Sequence, residues 1–248
     1  MTMNKIRKVR DLTLVALDQE RELVIACDSC GGIGLKPGDA FAVDPFLTGR
    51  FTARVVIFEV MCAGAEVIGL TNAVCNEMEP TGRQILKGIQ AELAAAKIDG
   101  AVLTGSTEEN FPTVSTAVGM TALGLVSRRN LRVNTCKTGA WLVAVGEPKV
   151  GAEVLTSRPG EIPGYEVIKE LLALEAAAEI VPVGSKGILH EARELAKNNR
   201  LNLVLNDHVK VNTAKSAGPC TAILVAAGES TMEQLPQLGR TEVIGRLM

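Results

Sequence analysis

The strongest constraint on the fold is one stretch of alternating pattern. Residues 66–74 are apolar and β-rich, residues 81–97 repeat apolar side chains at helical spacing, and residues 101–104 are a short apolar run. A β-rich apolar run giving way to helical spacing and then to a second short apolar run predicts strand, amphipathic helix, strand. Pro80 stands where such a helix begins, a position that tolerates its missing N–H. Upstream, residues 12–17 and 23–27 predict two strands joined as a hairpin by the polar DQERE turn. Residues 51–63 have helical spacing, with Gly64 placed to stop them. Residues 114–126 read as a longer strand. The first half is therefore a β-α-β-α-β-β unit. Such strands need covering by helices on at least one face, which sets the fold class as α/β (α+β).

The polar RRN run at 128–130 marks a boundary, giving expected domains at 1–128 and 129–248. Beyond it, residues 141–145, 179–183, 201–205, 221–226 and 242–247 read as strands. Residues 165–176 read as a helix. GSKGILHEARELAKNN (184–199) reads as a second helix, with Ser185 placed to cap it and Ile188, Leu189, Ala192 and Leu195 on one face. Aromatic residues are only 3% of the 248, so Val, Leu, Ile and Ala must fill the core, against an aromatic-rich β-sandwich.

The net charge of −2 offers no basic excess for a nucleic-acid backbone. No apolar run is long enough to span a bilayer, and the basic first ten residues lack the apolar core of a signal peptide. A cytoplasmic protein is expected. Of six cysteines only Cys27 and Cys30 form a CxxC pair, and a four-thiolate zinc site needs two such pairs. The cysteines are read as reduced thiols.

Three segments carry chemistry, and each follows a predicted strand. DSCGGIGLKPGD (28–39) joins Asp28, Gly31, Gly32, Gly34, Lys36 and Asp39. Glycines let backbone N–H groups approach phosphate, a lysine adds a point charge, and an acid can hold Mg²⁺. The spacing is neither a Walker A loop nor GxGxxG. TNAVCNEMEPTG (71–82) brings Asn76, Glu77 and Glu79 to a strand end; the plainer reading of the two acids is a favourable charge at a helix N-terminus. LTGSTEENFPT (103–113) carries Ser106, Thr107, Glu108, Glu109 and Asn110, and its plainer reading is a solvated loop. Ligands gather at strand C-termini in α/β folds, so the three segments are expected to converge on one Mg–nucleotide site.

These segments, in this order, resemble the aminoimidazole-ribonucleotide (AIR) synthase superfamily, which includes thiamine-monophosphate kinase and selenophosphate synthetase. ACDSCGGIGLKPGD resembles its aspartate–glycine–lysine loop, VVIFEVMCAGAEV its first helix, LTGSTEEN its third motif, and GSKGILHEA the Ser-Asp-Gly motif of thiamine-monophosphate kinase. NEMEPTG and GSTEEN resemble the α-ribazole kinases, which phosphorylate a ribosyl 5′-hydroxyl for cobalamin lower-ligand salvage.

The resemblance implies a two-domain fold with mixed sheets covered by helices and N-terminal domains paired in a homodimer. It also implies ATP and Mg²⁺ as cofactors, a nucleoside-like small molecule as partner, and phosphoryl transfer to an alcohol. By position, Asp28, Lys36 and Glu108 are implied as catalytic. Gly31, Gly32, Gly34, Lys36, Asn76, Ser106, Thr107, Glu109 and Asn110 are implied to bind nucleotide, and Asp28, Glu59 and Glu108 the metal. Three positions depart from the family pattern. Glu59 replaces an aspartate, Ser106 an acidic residue, and Lys186 the aspartate of Ser-Asp-Gly.

Overall fold

The computed structural model describes residues 5–174 and 176–248. The chain divides into two compact units, Met1–Met61 with Ala65–Arg129, and Cys62–Gly64 with Asn130–Met248.

The first unit contains β1 (Ile6–Val9), β2 (Leu12–Ala16), β3 (Arg21–Gly31), β4 (Ile33–Gly34), β5 (Phe41–Ala42), α1 (Pro45–Cys62), β6 (Glu66–Val74), α2 (Arg83–Ala95), β7 (Val102–Thr107) and β8 (Ala117–Ser127). Six of the strands form one sheet in the order β1-β2-β3-β8-β6-β7. Only its β6–β7 pair is parallel, so this sheet is mixed. β4 and β5 form a short parallel pair beside it.

Along β8 the burial alternates strictly, with Val118, Met120, Ala122 and Val126 on the covered face. The helices do the covering. Gly124 leaves space for Val60 of α1, since a Cβ there would lie 2.3 Å from the Val60 Cγ1. α1 and α2 also meet closely, because a Cβ on Gly88 would collide with the Phe46 carbonyl oxygen. α2 turns Ile85 and Ile89 inward at helical spacing, and its buried Glu92 is paired with Arg50 at 2.8 Å.

Among the sequence-based boundaries that move, two bear on the site. α1 begins at Pro45, six residues before the expected start, because the Asp44 carboxylate accepts the Phe46 N–H at 2.9 Å and Pro45 suits a first turn. The Pro and Gly of the PFLTGR stretch hid that turn from periodicity. β3 runs on through Gly31, so Asp28 lies within a strand rather than in the glycine loop.

The second unit contains β9 (Trp141–Gly146), α3 (Ala152–Leu155), α4 (Tyr165–Ala173), β10 (Ala177–Pro182), α5 (Ile188–Asn198), β11 (Leu203–Leu205), β12 (Ala222–Ala227) and β13 (Thr241–Leu247). Its sheet, β10-β12-β9-β13-β11, is antiparallel throughout. Leu142, Ala144, Leu224 and Ala226 pack with Ile188, Ala192 and Leu195 of α5 in one core. Leu189 is only half-buried. Ser185 does not cap α5: the residue before the helix is Gly187, at φ +80°, and no side chain caps it. A Cβ at Gly187 would come within 2.7 Å of the Thr213 carbonyl oxygen, so the loop lying over this end requires glycine. No helix among the described residues is long and apolar enough to cross a membrane.

Candidate functional site

Strand direction assembles the site. β3 and β6 are each antiparallel to β8, and β7 is parallel to β6. The C-terminal ends of β3, β6 and β7 therefore share one sheet edge with the start of β8. The three polar segments leave from that edge.

Asp39 locks the first segment to the start of β8. Its Oδ1 accepts the Ser115 hydroxyl at 2.9 Å and the Thr116 N–H at 2.6 Å. Its Oδ2 accepts the Thr116 hydroxyl at 2.7 Å and the Lys36 N–H at 2.8 Å. Desolvation pushes this carboxyl upward, but the four donors outweigh it and hold the group below its ordinary value. Gly34 is buried directly against this lock: a Cβ there would lie 2.1 Å from the Thr116 Oγ1 and 2.6 Å from the Asp39 Oδ2.

Lys36 joins the first and second segments. Its ammonium donates to the Glu77 Oε1 at 2.6 Å and to the Thr113 carbonyl at 3.0 Å. Glu77 also accepts the Thr113 hydroxyl at 3.0 Å. The Lys36 ammonium holds the Glu77 carboxyl below the usual carboxylate range. An ammonium has three N–H donors, so Lys36 keeps one for a further acceptor.

Asn76, fully buried, ties the second segment to the third. Its amide donates to the Thr113 hydroxyl and the Ser115 carbonyl, both at 2.8 Å, and accepts the Ala117 N–H at 2.9 Å. The Glu109 Oε1 accepts the Met78 N–H at 2.9 Å and the Thr107 hydroxyl at 2.6 Å. Glu108 donates its N–H to the Asn76 carbonyl, and its carboxylate accepts the Asn110 N–H at 2.7 Å.

Asp28 is half-buried near the end of β3. Burial pushes its carboxyl upward, the Ser29 N–H draws it down, and the nearby Asp11 carboxylate raises it. Cys30 links this position to the lock. Burial pushes its thiol up, the Thr52 hydroxyl on α1 lowers it, and the Asp28 and Asp39 carboxylates raise it.

The edge thus gathers Asp28, Lys36, Asp39, Asn76, Glu77, Thr107, Glu108 and Glu109. Gly31 is exposed, with nothing within 4 Å of an added Cβ, and Gly32 takes φ +72°. Ser106 and Asn110 are exposed close by. Gly34 and Asn76 are occupied inside the scaffold rather than open to a ligand. Glu59 is not brought to this edge. It is half-buried on α1 beside Val60, which packs at Gly124, and Gly124 pairs with Val24 while Asp28 pairs with Met120. Four residues of strand separate those levels by about 13 Å.

Among the described residues no three His, Cys, Asp or Glu side chains gather as a metal site. The donors fit a cation held by one or two carboxylates whose other ligands are phosphate oxygens and water, the usual manner for Mg²⁺. Asp28 is the half-buried acid at this end of β3, with the Asp11 carboxylate near it.

Sequence reasoning left Asp39, Glu77, Thr113, Ser115 and Thr116 outside the implied site residues. Asp39 and Glu77 already stood in the polar segments, and the visible signal for the three hydroxyl residues is the PTVST run ahead of β8. Glu79 lies ahead of α2 and forms an exposed ion pair with Arg83, the first residue of that helix.

Residues 10–126 match the family described as AIR synthase related protein, N-terminal domain. No curated protein matches the chain by sequence. Solved structures do match. T. maritima PurL complexed with AMPPCP has TM-score 0.69 at 13% identity, over 95% of this chain and 42% of PurL. The chain thus spans about two fifths of PurL's length. Thiamine-monophosphate kinase from Stenotrophomonas maltophilia has TM-score 0.63 at 17% identity, over 99% of this chain and 89% of its own. AaThiL complexed with AMPPCP and TMP has TM-score 0.66 at 15% identity, over 96% and 84%. At these identities the likeness is one of fold.

Proposed function

We propose, from the premise that residues 10–126 match the AIR synthase related N-terminal domain family and that the chain resembles PurL and thiamine-monophosphate kinase in fold, that this protein is an ATP-dependent small-molecule kinase. One observation carries the reading: three segments far apart in sequence are cross-linked at one sheet edge around a lysine with a donor to spare and a half-buried aspartate. AaThiL, of the same fold, was solved with a nucleotide analogue and TMP together, which favours a phosphoryl donor beside an acceptor. The acceptor best supported by resemblance is α-ribazole, through NEMEPTG and GSTEEN; thiamine monophosphate is the alternative that the structural likeness favours.

In-line transfer of a γ-phosphoryl group to a hydroxyl needs positioning and charge neutralisation more than covalent chemistry. Lys36 supplies positive charge, and its tethers to Glu77 and Thr113 hold the ammonium in place without using its third donor. Gly31 and Gly32 give the phosphates close access to backbone. Asp28 would hold Mg²⁺, which when bound neutralises charge on the phosphates. Glu108 and Glu109 fix the loop after β7, and Glu108 keeps one carboxylate oxygen beyond its bond to Asn110 for the acceptor or for water.

A homodimer is part of the proposal. The face of the sheet opposite α1 keeps Leu23, Ile25, Leu123 and Leu125 only half-buried, an apolar stripe suited to the same stripe on a second copy.

The test is turnover. Purified protein with Mg–ATP is incubated separately with α-ribazole and with thiamine monophosphate, and ADP and the phosphorylated acceptor are followed by mass spectrometry. Product should form with one acceptor and disappear in Asp28→Ala. Undiminished turnover in Asp28→Ala would remove this site from the reaction, and nucleotide binding with no product from either acceptor would refute both acceptor assignments.

A further inference from the structure

The chain has seven aromatic residues: five Phe, one Trp and one Tyr. Six are buried or half-buried, and Phe111 alone is exposed, at 75%. A single exposed apolar side chain needs no explanation. Phe111 has company, however. Leu35 at 68% and Val114 at 71% are, with it, the most exposed large apolar residues described. All three sit on the two loops that carry the charged cluster.

Those loops are tied to each other. The Gly38 N–H donates to the Val114 carbonyl at 2.7 Å, and the Lys36 ammonium donates to the Thr113 carbonyl at 3.0 Å. Leu35 precedes Lys36, and Phe111 lies two residues before Thr113, at most about 7 Å of chain away. An apolar rim with one aromatic ring therefore borders the ammonium assigned to the phosphates. A ligand matching both features is a polyanion at one end and a flat π-system at the other, as a nucleoside triphosphate is. An inorganic polyphosphate matches only the charged half.

We propose that Phe111 is the base-stacking residue of this site: the base of the bound nucleotide lies on its ring, with Leu35 and Val114 as apolar walls. The inference rests on the nucleotide-binding reading above and adds the residue that recognises the nucleoside. Stacking of a base on an aromatic side chain strengthens binding by roughly tenfold or more.

Titration calorimetry on the full chain with Mg²⁺ separates the two claims, using AMPPCP and inorganic tripolyphosphate as probes. The wild type should bind AMPPCP about tenfold more tightly than tripolyphosphate. Phe111→Ala should bring AMPPCP down to the tripolyphosphate level, leave tripolyphosphate binding unchanged, and melt with the wild type, because the ring is exposed. Phe111→Trp should keep the tight binding. Its fluorescence should be quenched by AMPPCP and not by tripolyphosphate, with the single native tryptophan, Trp141, as the wild-type control. Phe111→Ala binding AMPPCP as tightly as the wild type would overturn the assignment and leave the phosphate site standing. A wild type that binds neither probe would overturn the nucleotide reading and this inference with it.

Discussion

Replacing Asp39 by Asn tests the scaffold where its geometry is most exacting. Each carboxylate oxygen accepts one backbone N–H, from Thr116 on Oδ1 and from Lys36 on Oδ2, and one hydroxyl. Whichever way the amide of Asp39→Asn is turned, its NH₂ faces one of those backbone donors. The two hydroxyls can rotate, but the N–H cannot. The variant loses one charge-assisted bond and leaves a polar group unpaired, a cost of about 2–3 kcal/mol. In a chain of this length that lowers the melting temperature by roughly 4–9 °C.

The pH dependence follows from the sign of the shift. The folded Asp39 carboxyl lies below its ordinary value of 3.8, and Glu77 below 4.5. Their stabilisation is complete above those ordinary values and is lost as pH falls through the lower, folded ones. The gap between wild type and Asp39→Asn should therefore be full at pH 7 and shrink below about pH 3.8. Thermal melts followed by circular dichroism from pH 7 to pH 3 measure it. An unchanged melting temperature at pH 7, or a gap that does not vary with pH, would refute the reasoning.

Gly34→Ala drives a Cβ into Thr116 and Asp39 and should cost about 1–3 kcal/mol in urea unfolding. A neutral outcome would show that the lock yields easily. Lys36→Met should weaken Mg–AMPPCP binding at least tenfold by calorimetry, through loss of a phosphate donor, while Arg83→Ala, in an exposed pair at the start of α2, should leave it unchanged. Leu123→Asp, on the half-buried sheet face, should turn a dimer into a monomer by light scattering without altering the far-ultraviolet spectrum. A dimer that persists would place the contact elsewhere.

Much of the first unit was legible because its elements declare themselves locally. β8 alternates along its whole length, and α2 carries Ile85 and Ile89 four residues apart. What escaped was non-local or disguised. The last turns of β3 are written in Asp, Ser, Cys and Gly, which read as loop but are held straight by pairing with β8 up to Gly31 opposite Ala117. Capping at α5 was misplaced because Gly187, not Ser185, meets the loop at Thr213. At the site, three polar segments after three strands pointed to one edge. The Asp39–Thr116 contact, 77 residues apart, could not be read without the strand register, and neither could the pairing of Lys36 with Glu77. Glu59, equivalent by motif, belongs to the level of Gly124 and not to that of Asp28.

On the proposed function, one triphosphate is gripped where β3, β6 and β7 end. A backbone-amide NMR titration of the full chain with Mg–AMPPCP tests it most directly. Shifts should concentrate at residues 28–39, 76–78 and 106–116. Shifts confined to the second unit, or scattered over the first without including Lys36 and its neighbours, would contradict it.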